Sequence, residues 1–111
     1  MNITTKKCAM LIIDDILSAP HRLDPVRVII ENLEPGKGRI IIVCYDAAWV
    51  GFWGAMGGRT VEQFILSCDA GYLSSCLGCS SVLSRSKQNA VYLVRVITAV
   101  QEALRVQGGA P

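Results

Sequence analysis

The sequence predicts an α+β protein: a four-stranded antiparallel sheet, built as a meander of hairpins, with two helices packed on one face in the order ββββαα. Three observations predict it. Runs of β-branched residues dominate the first half, notably Val26-Arg27-Val28-Ile29-Ile30 and Ile40-Ile41-Ile42-Val43, and such residues suit a pleated, half-buried surface. Between them Glu34-Pro35-Gly36-Lys37 reads as a type II turn, because Pro presets φ at the second position and Gly tolerates positive φ at the third. In the second half the apolar residues recur at helical spacing instead of alternating. At 111 residues the chain fits one domain, 1–111, since two halves would each be too small to bury a core. Residues 1–6 and 107–111 are expected to fray.

The first strand runs from Cys8 to Ile13 and is stopped by Asp14, Asp15 and a connector containing Ser18, Ala19, Pro20 and His21. The second spans Val26 to Leu33, with one apolar and one mixed face. The return arm of the hairpin, Arg39 to Tyr45, is so consistently β-branched that it is expected to be the central strand, covered on both faces for part of its length. Asp46, Ala47 and Ala48 break the run, and Trp49 to Trp53 resumes it as a fourth strand. Gly54, Gly57 and Gly58 form a loop that ends at Thr60-x-x-Gln63, a capping box that starts a helix at Val61. Val61, Phe64, Ile65 and Cys68 mark its buried face, and Gly71 is placed to end or bend it before Tyr72-Leu73. After a Ser-rich stretch, the last helix runs from Lys87 to Val106. Leu93, Ile97, Val100 and Leu104 form its apolar stripe, with Arg95, Thr98, Glu102 and Arg105 opposite.

Hydrophobic residues make up 51% of the chain and charged residues 18%, more apolar than an average soluble domain. The surplus apolar surface points to a partner or to a homodimer. A net charge of +2 produces no broad basic field, so nucleic acid is unsupported as a partner. No stretch reaches the ~18 uninterrupted apolar residues of a membrane span, and the apolar run before Asp14 is too short for a signal peptide, which leads to the expectation of a soluble, cytoplasmic protein without a membrane partner. Five cysteines, Cys8, Cys44, Cys68, Cys76 and Cys79, are an odd number. The first three lie in apolar segments, as buried free thiols do in a reducing compartment.

No catalytic motif emerges, so no enzyme activity, cofactor or metal is expected. Cys76-x-x-Cys79 has the spacing of a metal knuckle or redox dithiol, yet no second knuckle accompanies it and it follows a helix where a redox pair opens one. His21 can act as a base, but no nucleophile with suitable context stands near it in sequence. Asp14-Asp15 reads as a strand-ending acidic turn, since an oxygen-ligand site needs further carboxylates. Gly57, Gly58, Arg59 and Thr60 lead into a helix N-terminus, the arrangement that binds phosphate through backbone N–H groups. They lack the Gly-Lys-Ser/Thr ending of a nucleotide P-loop, and a tight strand-to-helix connection, with Arg59 incidental, explains them better. Tyr45, Trp49, Trp53 and Met56, with Arg59 close by, have the composition of a protein-binding surface. Trp49 and Trp53 share a face opposite Phe52, so one set can be core while the other is exposed, and burial of both faces under the helices is the simpler alternative. The second face of the sheet, with its aromatics, is the expected partner or dimer surface.

Cys44-Tyr45-x2-Ala48-Trp49 leads on to Trp53-Gly54-Ala55-Met56-Gly57-x-Arg59-Thr60-Val61-x2-Phe64. Later come Tyr72-Leu73 and Tyr92-Leu93-x-Arg95-Val96-x2-Ala99-Val100-Gln101-x-Ala103-Leu104. Over residues 23 to 105 this pattern resembles small uncharacterised proteins of lambdoid bacteriophages and enterobacterial prophages. The resemblance implies a phage accessory protein acting in the cytoplasm of the bacterial host, and no catalytic residue is carried over from it. With the missing catalytic set, it leads to the expectation of a protein that docks on a host protein and inhibits an antiviral defence system such as CRISPR. The alternative expectation is a small-anion or nucleotide-sequestering protein using Gly57 to Thr60.

Overall fold

In the computed structural model, which describes residues 1–14, 16, 23–45, 47–78 and 87–108, four strands form one antiparallel sheet in the order β1-β2-β3-β4. They are β1 Ala9–Ile13, β2 Val26–Glu34, β3 Lys37–Cys44 and β4 Ala47–Trp53. Three helices follow: α1 Val61–Ser67, α2 Ala70–Gly78 and α3 Lys87–Gln107. The β2–β3 hairpin turns through Pro35-Gly36 with Gly36 at φ 79°, as the third position of a type II turn requires. The β3–β4 reversal is tighter than the sequence suggests. Cys44 pairs with Ala47, so Ala47 and Ala48 belong to β4 instead of breaking the run, and Tyr45 opens the connection at φ 57°, a conformation that short hairpin loops demand.

Burial alternates strictly along β3 and through most of β2 and β4. Val26, Val28, Ile30, Ile40, Ile42, Cys44 and Trp49 point to one side, where they form a single cluster with Val61 and Ile65 of α1, Leu73 and Leu77 of α2, and the predicted α3 stripe of Leu93, Ile97, Val100 and Leu104. Among the described residues no buried side chain is polar or charged, so burial supplies the main stabilising term. β3 is central, as expected, but among the described residues the helices cover one of its faces, because all three pack on the same side of the sheet.

Three helices replace the expected two, and the break has a specific cause. The capping box is present: Thr60 Oγ1 accepts from the Gln63 N–H at 3.2 Å, and Gln63 Oε1 accepts from the Thr60 N–H at 3.0 Å. Asn32 at the end of β2 accepts from the Val61 N–H at 2.8 Å and donates to Glu62 at 2.9 Å, pinning the start of α1 to the sheet. After two turns Cys68 becomes extended, at φ −98° and ψ 152°, and the Asp69 carboxylate accepts from the Tyr72 N–H at 2.9 Å to start α2. The carbonyls of Ile65 and Cys68, which lose helical donors at the break, accept from Gln101 Nε2 of α3 at 3.0 and 2.8 Å. Gly71 neither ends nor bends the first helix; it sits inside α2.

Candidate functional site

Because side chains alternate and the helices occupy one side, every second residue of the sheet is left on an open face. Met10, Ile29, Ile41 and Val50 are register partners in a row across all four strands. On one flank lie Ile12, Arg27, Val43 and Ala48, and on the other Glu31, Arg39 and Phe52. Met10, Ile12, Val50 and Phe52 are exposed large apolar side chains. The polar members are organised: Arg39 Nη1 lies 2.7 Å from Glu31 Oε1, and its guanidinium stands over the Phe52 ring at 5.6 Å from the centroid, within cation–π range. The sequence carried a signal for this face. Ile40-Ile41-Ile42-Val43 is apolar at both parities, and only one parity is needed for a one-sided core.

The aromatic set divides. Trp49 and Met56 are each only 2% exposed and belong to the core, with the Trp49 ring tilted against Tyr92 of α3 at 5.8 Å. Trp53 is half-buried and tilted against Phe64 of α1 at 5.1 Å. Trp49 and Trp53 do lie opposite Phe52, but the helices cover the tryptophan side, which leaves Phe52 outward. Of the expected partner surface only Tyr45, 79% exposed at the β3–β4 connection, and Arg59, whose Nη1 donates to Ser67 Oγ at 3.2 Å, are open to solvent, and they lie on different loops.

Gly57 and Gly58, at φ 66° and 80°, let the loop before α1 clasp the β2–β3 turn. The Met56 N–H donates to the Gly36 carbonyl at 2.8 Å, and the Gly36 N–H donates to the Arg59 carbonyl at 3.2 Å. At the helix entrance the Val61 N–H is held by Asn32, that of Gln63 by the Thr60 hydroxyl, and that of Phe64 by the Thr60 carbonyl. Gly57, Gly58, Arg59 and Thr60 thus build a loop-on-turn clasp in which the Arg59 N–H donates to the Met56 carbonyl at 3.3 Å and the Thr60 N–H to the Gln63 side chain at 3.0 Å.

Cys8, Cys44, Cys68 and Cys76 are all free thiols. Cys44 is buried and Sγ donates to the Asp24 carbonyl at 3.6 Å. Burial pushes this thiol above its ordinary pKa; a hydrogen bond with Tyr92 opposes the shift and the Asp24 charge adds to it. A buried protonated thiol is a poor nucleophile. Cys8 is exposed and precedes β1, in place of the expected buried strand position. The Tyr72 hydroxyl is raised first by its hydrogen bond with Cys76. His21, Asp15 and Cys79, and with Cys79 the Cys76-x-x-Cys79 pairing, lie outside the described residues. Among the described residues no cluster of three His, Cys, Asp or Glu side chains can hold a metal ion, and no helix is long and apolar enough to cross a membrane.

Fold and surface together define the class: an antiparallel meander closed on one side by three helices and open on the other, with apolar side chains and a short chain of charged ones on display. The chain belongs to the phage family Phage_phiTE_072, whose profile matches residues 1–87. The matched stretch includes the whole sheet, α1 and α2, and stops at the first residue of α3. No curated protein and no solved structure matches the chain.

Proposed function

We propose that this phage-family chain is an accessory protein that works by contact, docking the open face of its sheet on a host protein without catalysing a reaction. One observation carries the reading: the row Met10-Ile29-Ile41-Val50, extended by Ile12 and Phe52, lies on a sheet whose other side already holds the core. Contiguous apolar surface rimmed by polar groups marks interaction sites, and an aromatic ring beside a guanidinium is typical of their energetic centres. The resemblance to proteins of lambdoid bacteriophages and enterobacterial prophages supports the bacterial cytoplasm as the place of action and a defence system such as CRISPR as the target class. The small-anion alternative at Gly57 to Thr60 is the weaker reading, because the amides of Arg59, Thr60, Val61 and Gln63 already donate to the Met56 carbonyl and to the Gln63, Asn32 and Thr60 side chains.

The test is affinity capture from a bacterial lysate with the wild type beside a Met10→Asp/Val50→Asp variant of matching circular dichroism and melting temperature. A host protein should be retained by the wild type and lost by the variant. Equal retention by both, or retention by neither, sinks the reading.

A further inference from the structure

The open face is complementary to itself, and we propose that a second copy of this chain covers it when no target is present, in a two-fold dimer whose axis runs along the Met10-Ile29-Ile41-Val50 row. This rests on the reading of the face as a contact surface and names its occupant in the free protein.

Rotation about that axis lays each strand over its own counterpart, face to face, and exchanges the two flanking rows. In β2 the outward residues are Arg27, Ile29 and Glu31, a cation and an anion placed symmetrically about the central Ile29. The rotation therefore sets Arg27 of one copy opposite Glu31 of the other, and symmetry repeats the pair. In β4 the outward residues are Ala48, Val50 and Phe52, so Phe52 falls over Ala48 of the second copy, large against small. In β3 Arg39 meets the aliphatic Val43 of the other copy while keeping its 2.7 Å ion pair with Glu31 in its own sheet. The Ile29 and Ile41 side chains meet their counterparts at the centre. Such isologous pairing, residue i on j and j on i, is the signature of a two-fold interface.

An axis along the strands is the competing arrangement. It sets Arg27 against Val43 of the second copy, and Arg27 makes no ion pair among the described residues, so only the axis along the row gives that cation a carboxylate. Face-to-face sheets pack within about 30° of alignment, which keeps the near-axis pairs within reach of an arginine side chain. Strands ~4.8 Å apart and rows about 6.8 Å apart give a face of roughly 400 Å² per copy, below the standard size for a specific interface. The dimer is accordingly weak, with a dissociation constant of about 10–100 µM, and a target that fits the same face displaces the second copy.

Sedimentation of the free protein tests this. The wild type should shift from monomer to dimer over about 10–100 µM. R27E should weaken the dimer at least tenfold, by setting a carboxylate against Glu31 of the other copy, while leaving the Arg39–Glu31 pair of each sheet in place. The melting temperature of R27E shows that the exposed substitution leaves the fold intact. A wild type that stays monomeric at about 500 µM, or a dimer indifferent to R27E, overturns the proposal. Lysate capture with R27E as bait separates this from the docking reading. A monomeric wild type that still captures a host protein removes the dimer alone. A dimer broken by R27E, with nothing captured by either protein, supports the dimer and removes the docking.

Discussion

Cys44 closes β3 with its thiol buried, and its ionisation is tied to the closure of the sheet around it. Burial raises its pKa above the ordinary value of 9.0, so the unfolded chain gives up this proton at lower pH than the folded one. The stabilisation is fully present below pH 9 and is lost as pH rises from there through the higher native value. Urea midpoints measured from about pH 8 to about pH 10.5 should fall more steeply in the wild type than in Cys44→Val, where nothing titrates at this site; parallel slopes would refute the burial argument. Alkylation read by mass spectrometry should modify exposed Cys8 promptly and Cys44 only once the chain unfolds. Gly36 shows what a single residue reveals and conceals. Its positive φ follows from the Pro35-Gly36 order alone. That a Cβ there would come within 2.9 Å of the Gly58 backbone nitrogen follows only from the clasp with a loop some twenty residues further on.

Among the elements, the start of α1 was legible and its end was not. A capping box is local, and Thr60 and Gln63 lie three residues apart with both hydrogen bonds between them. The break at Cys68 is held by a side chain from a different helix: Gln101 donates to two carbonyls more than thirty residues earlier, and no local pattern announces such a partner. Gly71 drew the boundary because glycine commonly ends helices, yet Asp69 supplies the competing signal by capping α2, and α2 accommodates the glycine. Gln101→Leu keeps the packing volume and removes both donors, leaving the Ile65 and Cys68 carbonyls without them. The expected loss is about 1–3 kcal/mol in urea unfolding, the cost of part-buried acceptors left unsatisfied. A change within about 0.3 kcal/mol would mean that water satisfies those carbonyls as well as Gln101 does.

For the whole molecule, alternation in a strand states that two faces exist and leaves open which one the helices take. Both faces of β4 are apolar, with Trp49 and Trp53 on one and Val50 and Phe52 on the other, so residue type decides nothing by itself. The choice is made by volume and contact. The tryptophan side meets Tyr92 and Phe64 of the helices, while Phe52 is left with Arg39 as its neighbour. Membership of a phage family was legible in the residues themselves, and so was an open second face of the sheet; which side chains line that face was not, because that depends on where the helices lie. Trp49→Ala should therefore cost about 3–5 kcal/mol in urea unfolding, the range for deleting a buried aromatic ring. Phe52→Ala should cost no more than about 1 kcal/mol, as an exposed position does. The two substitutions delete similar aromatic groups from the same strand three residues apart, so intrinsic strand propensity does not account for a large difference between them. Equal losses would mean that something covers the Phe52 face in the isolated protein. A Phe52→Ala loss that appears only at high protein concentration would identify the second copy as that cover, because dimerisation adds to apparent stability by mass action.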